Sequence, residues 1–229
     1  MLIDFGDGSK SQYTRIIELL PTYYPAQENE LDFKVSDAFE RVMTEKEDFA
    51  SLQKWEYFLK SVKRTAKSGL RVSASQWLMD PSFKGIFSLK RENMGRATYR
   101  RDFVVYLSLI GNFYTMYGLD EVSVTDDKID DTDSSEIWFE PVLYPHPYSV
   151  YKKWFLLFHQ EMKRTYPGYE FVPYETLRHR LKDISTGDVN AEGAGPSIFQ
   201  ALFSFEDINQ YRIKMNTQVH PFEDQYGFE

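Results

Sequence analysis

Residues 103–124, FVVYLSLIGNFYTMYGLDEVSV, form the densest apolar and β-branched run in the chain, and no other stretch constrains the fold as strongly. Successive side chains of a strand point to opposite faces. Val104, Tyr106, Ser108 and Ile110 therefore share one face, and Phe103, Val105, Leu107 and Leu109 share the other. Both sets are largely apolar, which predicts an interior strand covered on both sides. Gly111-Asn112 supplies a turn, and residues 113–117 return as a second strand. Gly118 is an alternative place for that strand to break.

The sequence around this run reads as more strands, with helices before and after. Residues 71–79, 85–91, 98–110 and 113–124 form a strand-rich meander, with turns at Asp80-Pro81-Ser82 and Asn93-Met94-Gly95. Arg91, Arg96, Arg100 and Arg101 give this region its positive charge. They are candidates for phosphate binding, but a solvated sheet edge guarded by charge is the plainer expectation. Residues 137–143 resume as a strand, which Pro145-His146-Pro147 ends.

Helical spacing appears on both flanks. Ser9 and Gln12 have capping-box spacing at the start of a helix over residues 9–20, stopped by Pro21. Asp37 and Glu40 repeat that spacing for a short helix over residues 37–43. Phe49, Leu52, Trp55, Leu59 and Val62 form an apolar stripe over residues 48–66, with Gly69 as the stop. Val150, Trp154, Leu157, Phe158 and Met162 do the same over residues 148–166, before Pro167-Gly168. A short strand at residues 169–172, a brief helix from Pro173 to Leu181 and a glycine-bearing loop at residues 183–195 follow. Residues 196–205 have helical spacing, and Tyr211, Ile213 and Met215 alternate as a late strand.

The expectation is an α+β fold, with a largely antiparallel sheet (about residues 70–143) packed by helices from the N-terminal and C-terminal parts. We read residues 1–229 as a single domain carrying an acidic loop at residues 125–136.

That loop, TDDKIDDTDSSE, is the strongest anomaly of composition. Asp126, Asp127, Asp130, Asp131, Asp133 and Glu136 face one cation, Lys128, so it carries −5 of the chain's net charge of −8. Trp138 and Phe139 follow at once. The acidic balance argues against direct nucleic-acid binding, which calls for a basic footprint. The chain has no cysteine, so thiolate metal sites, disulfides and cysteine nucleophiles are excluded. Neither a basic-then-apolar leader nor a run of the roughly 18 apolar residues that a membrane span needs is seen. A cytoplasmic location with no membrane partner is the expectation.

No catalytic motif stands out. His146, His159, His179 and His220 never pair at helical spacing, so no metal and no cofactor is expected. The aspartates of residues 126–133 are hard oxygen donors suited to calcium, but they lack the glycine and the alternation of an EF-hand loop. There is no G-x-S-x-G elbow and no phosphate-binding glycine loop. With 35 acids, the sequence cannot single out a catalytic carboxylate pair. Tyr23, Tyr24, Tyr144, Tyr148 and Tyr151 cluster near prolines, as residues lining a surface groove would, or as half-buried tyrosines with wet hydroxyls.

Three functional readings follow. The first is a protein-binding inhibitor of the immunity or antitoxin type. It docks a partner with a basic surface through Asp126, Asp127, Asp130, Asp131, Asp133, Glu136 and Trp138. Carboxylates speed encounter with a cationic surface, and an aromatic neighbour supplies a buried anchor. The second is an enzyme whose site is assembled from His159 and Glu161 with Glu175 and His179. The third is a structural component of a larger assembly.

Overall fold

A computed structural model describes residues 10–24, 36–67, 70–75, 80–126, 135–138, 141–147, 150–182, 184, 186 and 195–214. The long run folds as β3 (Ala97–Ser108) and β4 (Phe113–Asp126), an antiparallel hairpin. Its turn lies at Gly111, whose φ of +72° suits a residue without a Cβ. β1 (Arg71–Ser75) and β2 (Ser82–Met94) extend the sheet on one side.

On its other side β4 serves three short strands in succession. β7 (Glu170–Phe171) pairs in parallel at Phe113 and Tyr114, β6 (Val142–Tyr144) pairs antiparallel at 118–120, and β5 (Ser135–Trp138) pairs antiparallel at 123–126. β8 (Arg212–Ile213) adds to β6 in parallel, so the path runs β1-β2-β3-β4-β6-β8. The fold is α+β with a mostly antiparallel open sheet.

Helices cover both faces, as the alternation in β3 requires. α3 (Phe49–Thr65) and α4 (Lys152–Thr165) pack on Phe103, Val105 and Leu107 through Trp55, Phe58, Val62, Phe155 and Phe158. α1 (Lys10–Leu19), α2 (Asp37–Glu47), α5 (Tyr174–Leu177) and α6 (Ile198–Leu202) pack on Val104, Tyr106 and Ile110. Leu109 touches both cores. Ser108 is a buried polar residue on the second face, and its hydroxyl reaches the carbonyls of Ile110 and Leu202 at 2.9 and 2.8 Å.

Local chemistry sets the helix ends. Ser36 caps α2 by accepting from Phe39 N, so the cap lies one residue before the Asp37 expected from spacing. Asp48 caps α3 by accepting from Ala50 N and Ser51 N. Ser197 and Gln200 form a reciprocal capping box on α6. Gln12 does something else: its amide donates to the Phe171 carbonyl at 2.9 Å and so ties α1 to the sheet. Ser9, Gly69, most of the loop at residues 183–195, and Met215 lie outside the described residues.

Several expectations change. β4 does not break at Gly118, where the Tyr151 ring lies so close that a Cβ would collide with it. The strand expected over residues 137–143 is two strands, β5 and β6, because β4 offers them different stretches of its edge. Phe49 is 72% exposed, since it opens α3 ahead of the packed turns; Phe58 takes its place in the core. Val150 precedes α4 and is exposed. Arg100 and Arg101 are not edge residues, because β3 is an interior strand. Tyr24, Tyr144 and Tyr151 line no surface groove: all three are buried, Tyr24 in one core and the other two in the opposite one. Among the described residues no helix is long and apolar enough to cross a membrane.

Candidate functional site

The cores do not extend along the whole sheet. On β2 the last apolar residues packed against them are Phe87 and Leu89, on β3 the first is Phe103, and on β4 the last is Leu119. Beyond that line the strands continue as a ribbon of residues 90–94, 97–102, 120–126 and 135–138, paired through the backbone across four strands. Residues 90–94 are exposed, Met94 at the end by 56%.

The acidic segment belongs to this end. Asp126 lies opposite Ser135 and Thr125 opposite Glu136, while Trp138 lies opposite Ser123. Asp126, Glu136 and Trp138 therefore lie on one strand pair. Asp127, Asp130, Asp131 and Asp133 lie outside the described residues. In register, Met94, Ala97, Val124 and Ile137 form one row, so this hairpin and the Gly95 turn of β2–β3 leave the sheet at the same end.

Two clusters anchor the ribbon, one on each face. Neighbouring residues of a strand face opposite ways, so Arg100 and Arg101 serve different faces. Arg101 pairs with Asp120, its register partner on β4, at 3.0 Å. Tyr151 donates to the same carboxylate at 2.5 Å, and the Arg101 guanidinium lies 5.5 Å from the Tyr99 ring and 5.6 Å from the Tyr151 ring. Burial pushes the Asp120 carboxyl up, but hydrogen bonds from Arg101, Tyr151 and Tyr99 outweigh it and hold the group below the usual carboxylate range. On the other face Arg100 pairs with Asp102 at 2.7 Å and with Glu121, its register partner, at 3.2 Å. Burial holds the Glu121 carboxyl above its usual range; Arg100 opposes this and Asp102 adds to it.

The enzyme candidates are not brought together. His159 Nδ1 lies 2.5 Å from the buried Tyr114 hydroxyl. Glu161 accepts from Ser61 and Thr65 of α3 at 2.8 and 3.0 Å and pairs with Arg164, so it joins α3 to α4. His179 lies edge-on to the Tyr13 ring, and Glu175 lies 3.1 Å from His146 Nε2. α4 and α5 lie under opposite faces of the sheet, so the sheet itself separates the two pairs. Among the described residues no group of three His, Asp or Glu is placed to hold a metal.

Comparison with protein-family models, curated proteins and solved structures finds no significant match. Sequence reasoning missed the two arginine clusters, although the signal was present. Once Leu107 is set opposite Tyr114, the register puts Arg101 opposite Asp120 and Arg100 opposite Glu121.

Proposed function

We propose that this chain is a protein-binding module that docks a basic partner through the free end of its ribbon, as an inhibitor of the immunity or antitoxin type would. The observation that carries the reading is that the two ends of the acidic segment pair as β4 and β5 at residues 123–126 and 135–138, beyond the last apolar residues that pack against the described helices. Clipping its two ends reduces the chain entropy that the segment would lose on binding. Concentrated carboxylates accelerate encounter with a cationic surface, and Trp138 and Met94 at the same end are residue types that serve as interface anchors.

The test is affinity capture of the tagged chain from its native lysate at low and high salt, beside a variant with Asp126, Asp127, Asp130, Asp131 and Asp133 changed to Lys. The expected result is one basic partner in stoichiometric amount, released by salt and absent from the variant. A partner retained equally by both chains, or recovery of the bare chain from both, rejects the reading.

A further inference from the structure

A second site lies at the base of the ribbon, on the face away from α3 and α4. A cleft of about 740 Å³ opens there, lined by Arg71, Ser73, Ser88, Arg91, Arg100 and Asp102, among others. Strand register assembles it in two rows. Arg71, Ser88 and Asp102 lie side by side across β1, β2 and β3, and Arg91 and Arg100 form the next row.

A β-bulge makes the second row possible. Ser88 and Arg91 are three residues apart, so in a regular strand they would face opposite ways. The register of β2 shifts between Ser88 and Lys90, and the extra residue returns Arg91 to the face of Ser88 and Asp102. Bulges commonly redirect a side chain in this way next to a site.

The charges in the cleft are unequally committed. Arg100 is held by Asp102 and Glu121, and Lys90 by Glu92. Arg71 and Arg91 are exposed, and among the described residues neither has an ion-pair partner. Asp102 is 2% exposed; its Oδ2 accepts from Arg100, whereas its Oδ1 has no hydrogen-bond partner among the described residues. An unpartnered buried carboxylate oxygen is costly in free energy and calls for a donor.

The cleft thus offers two free cations, one buried acceptor, the hydroxyls of Ser73 and Ser88 and the amide of Asn93, and among the described residues that line it there is no aromatic ring. We propose that it binds a small phosphorylated sugar. The phosphate sits between Arg71 and Arg91, where guanidinium forks match its oxygens. A sugar hydroxyl donates to the Asp102 carboxylate once that side chain turns toward the cleft, and the serine hydroxyls and the Asn93 amide meet the remaining hydroxyls. This site is separate from the acidic hairpin and stands whether or not that hairpin docks a protein.

Titration calorimetry on the full chain tests it, with ribose 5-phosphate, glucose 6-phosphate, ribose and inorganic phosphate as probes. At least one sugar phosphate should bind about tenfold or more tighter than both ribose and phosphate. The Arg71→Gln/Arg91→Gln double variant should weaken that binding by about tenfold or more. Asp102→Asn should remove most of the preference for sugar phosphate over phosphate. If Asp102→Asn does not fold, the double variant still decides, because both its positions are exposed. Equal binding of phosphate and sugar phosphate, no binding of either sugar phosphate at about millimolar concentration, or an unaltered double variant overturns the proposal.

Discussion

The same strands β2, β3 and β4 build two unlike regions. At Phe87, Phe103 and Gly118 they lie in register between two helical layers, and the Phe103 ring packs on Phe155 and Phe158 at centroid distances of 5.0 and 4.6 Å. A few residues further on the pairing continues, but among the described residues the apolar cores do not. There, side-chain contacts give way to ion pairs and cation–ring contacts at Arg100 and Arg101. The difference shows that backbone pairing can carry a sheet well past its core, provided charge pairs hold its faces. Among the described residues, sheet surface outside the apolar cores lies beyond them and along their margin.

The comparison can be broken most directly in the packed region. Phe103→Ala removes a ring buried against α4 and should cost about 3–5 kcal/mol, measured by urea unfolding. A loss below about 1 kcal/mol would mean that the two layers do not close on this strand. Gly118→Ala should cost about 1–3 kcal/mol by overpacking, since the new methyl meets the Tyr151 ring. A neutral result would show that α4 shifts freely on the sheet.

At the boundary, Asp120→Asn should cost about 1–3 kcal/mol near neutral pH, because it weakens the bonds from Arg101, Tyr151 and Tyr99. The sign of its pH dependence follows from the depressed carboxyl. The stabilisation is complete above the unfolded value of about 4 and is lost as the pH falls through the lower folded one. Thermal melts of the native chain and the variant should therefore converge in acid; a constant gap would assign the loss to packing.

In the ribbon, Met94→Ser should change stability by no more than about 0.5 kcal/mol, read by the same unfolding curves. Backbone amides in residues 90–94 should also exchange with solvent faster than those in residues 103–107. Equal protection would mean that the ribbon is covered by something, a second copy included.

Much of the packed region was legible in order of residues. The alternation assigned residues 103–107 and Ile110 to the cores in which they are found, and the stripes in α3 and α4 found Trp55, Leu59, Val62, Trp154, Phe158 and Met162. Other contacts gave no local signal. Nothing near His159 in sequence announces Tyr114, and nothing near Glu161 announces Ser61. The candidate site was legible only as composition: residues 126–136 are acidic, but the pairing of the segment's two ends beyond the core follows from β5 joining β4.

By itself, then, the sequence determined the α+β class, the interior strand, the main helices and the acidic anomaly, because periodicity and charge are properties of neighbours along the chain. The tertiary structure alone decided the division of β4's edge among three strands, the separation of the histidines by the sheet, and the cleft at Asp102. The first two depend on which strands pair and which helices cover each face; the cleft depends on register and on the bulge of β2 between Ser88 and Lys90, where a shift of one residue turns Arg91 from one face of the sheet to the other.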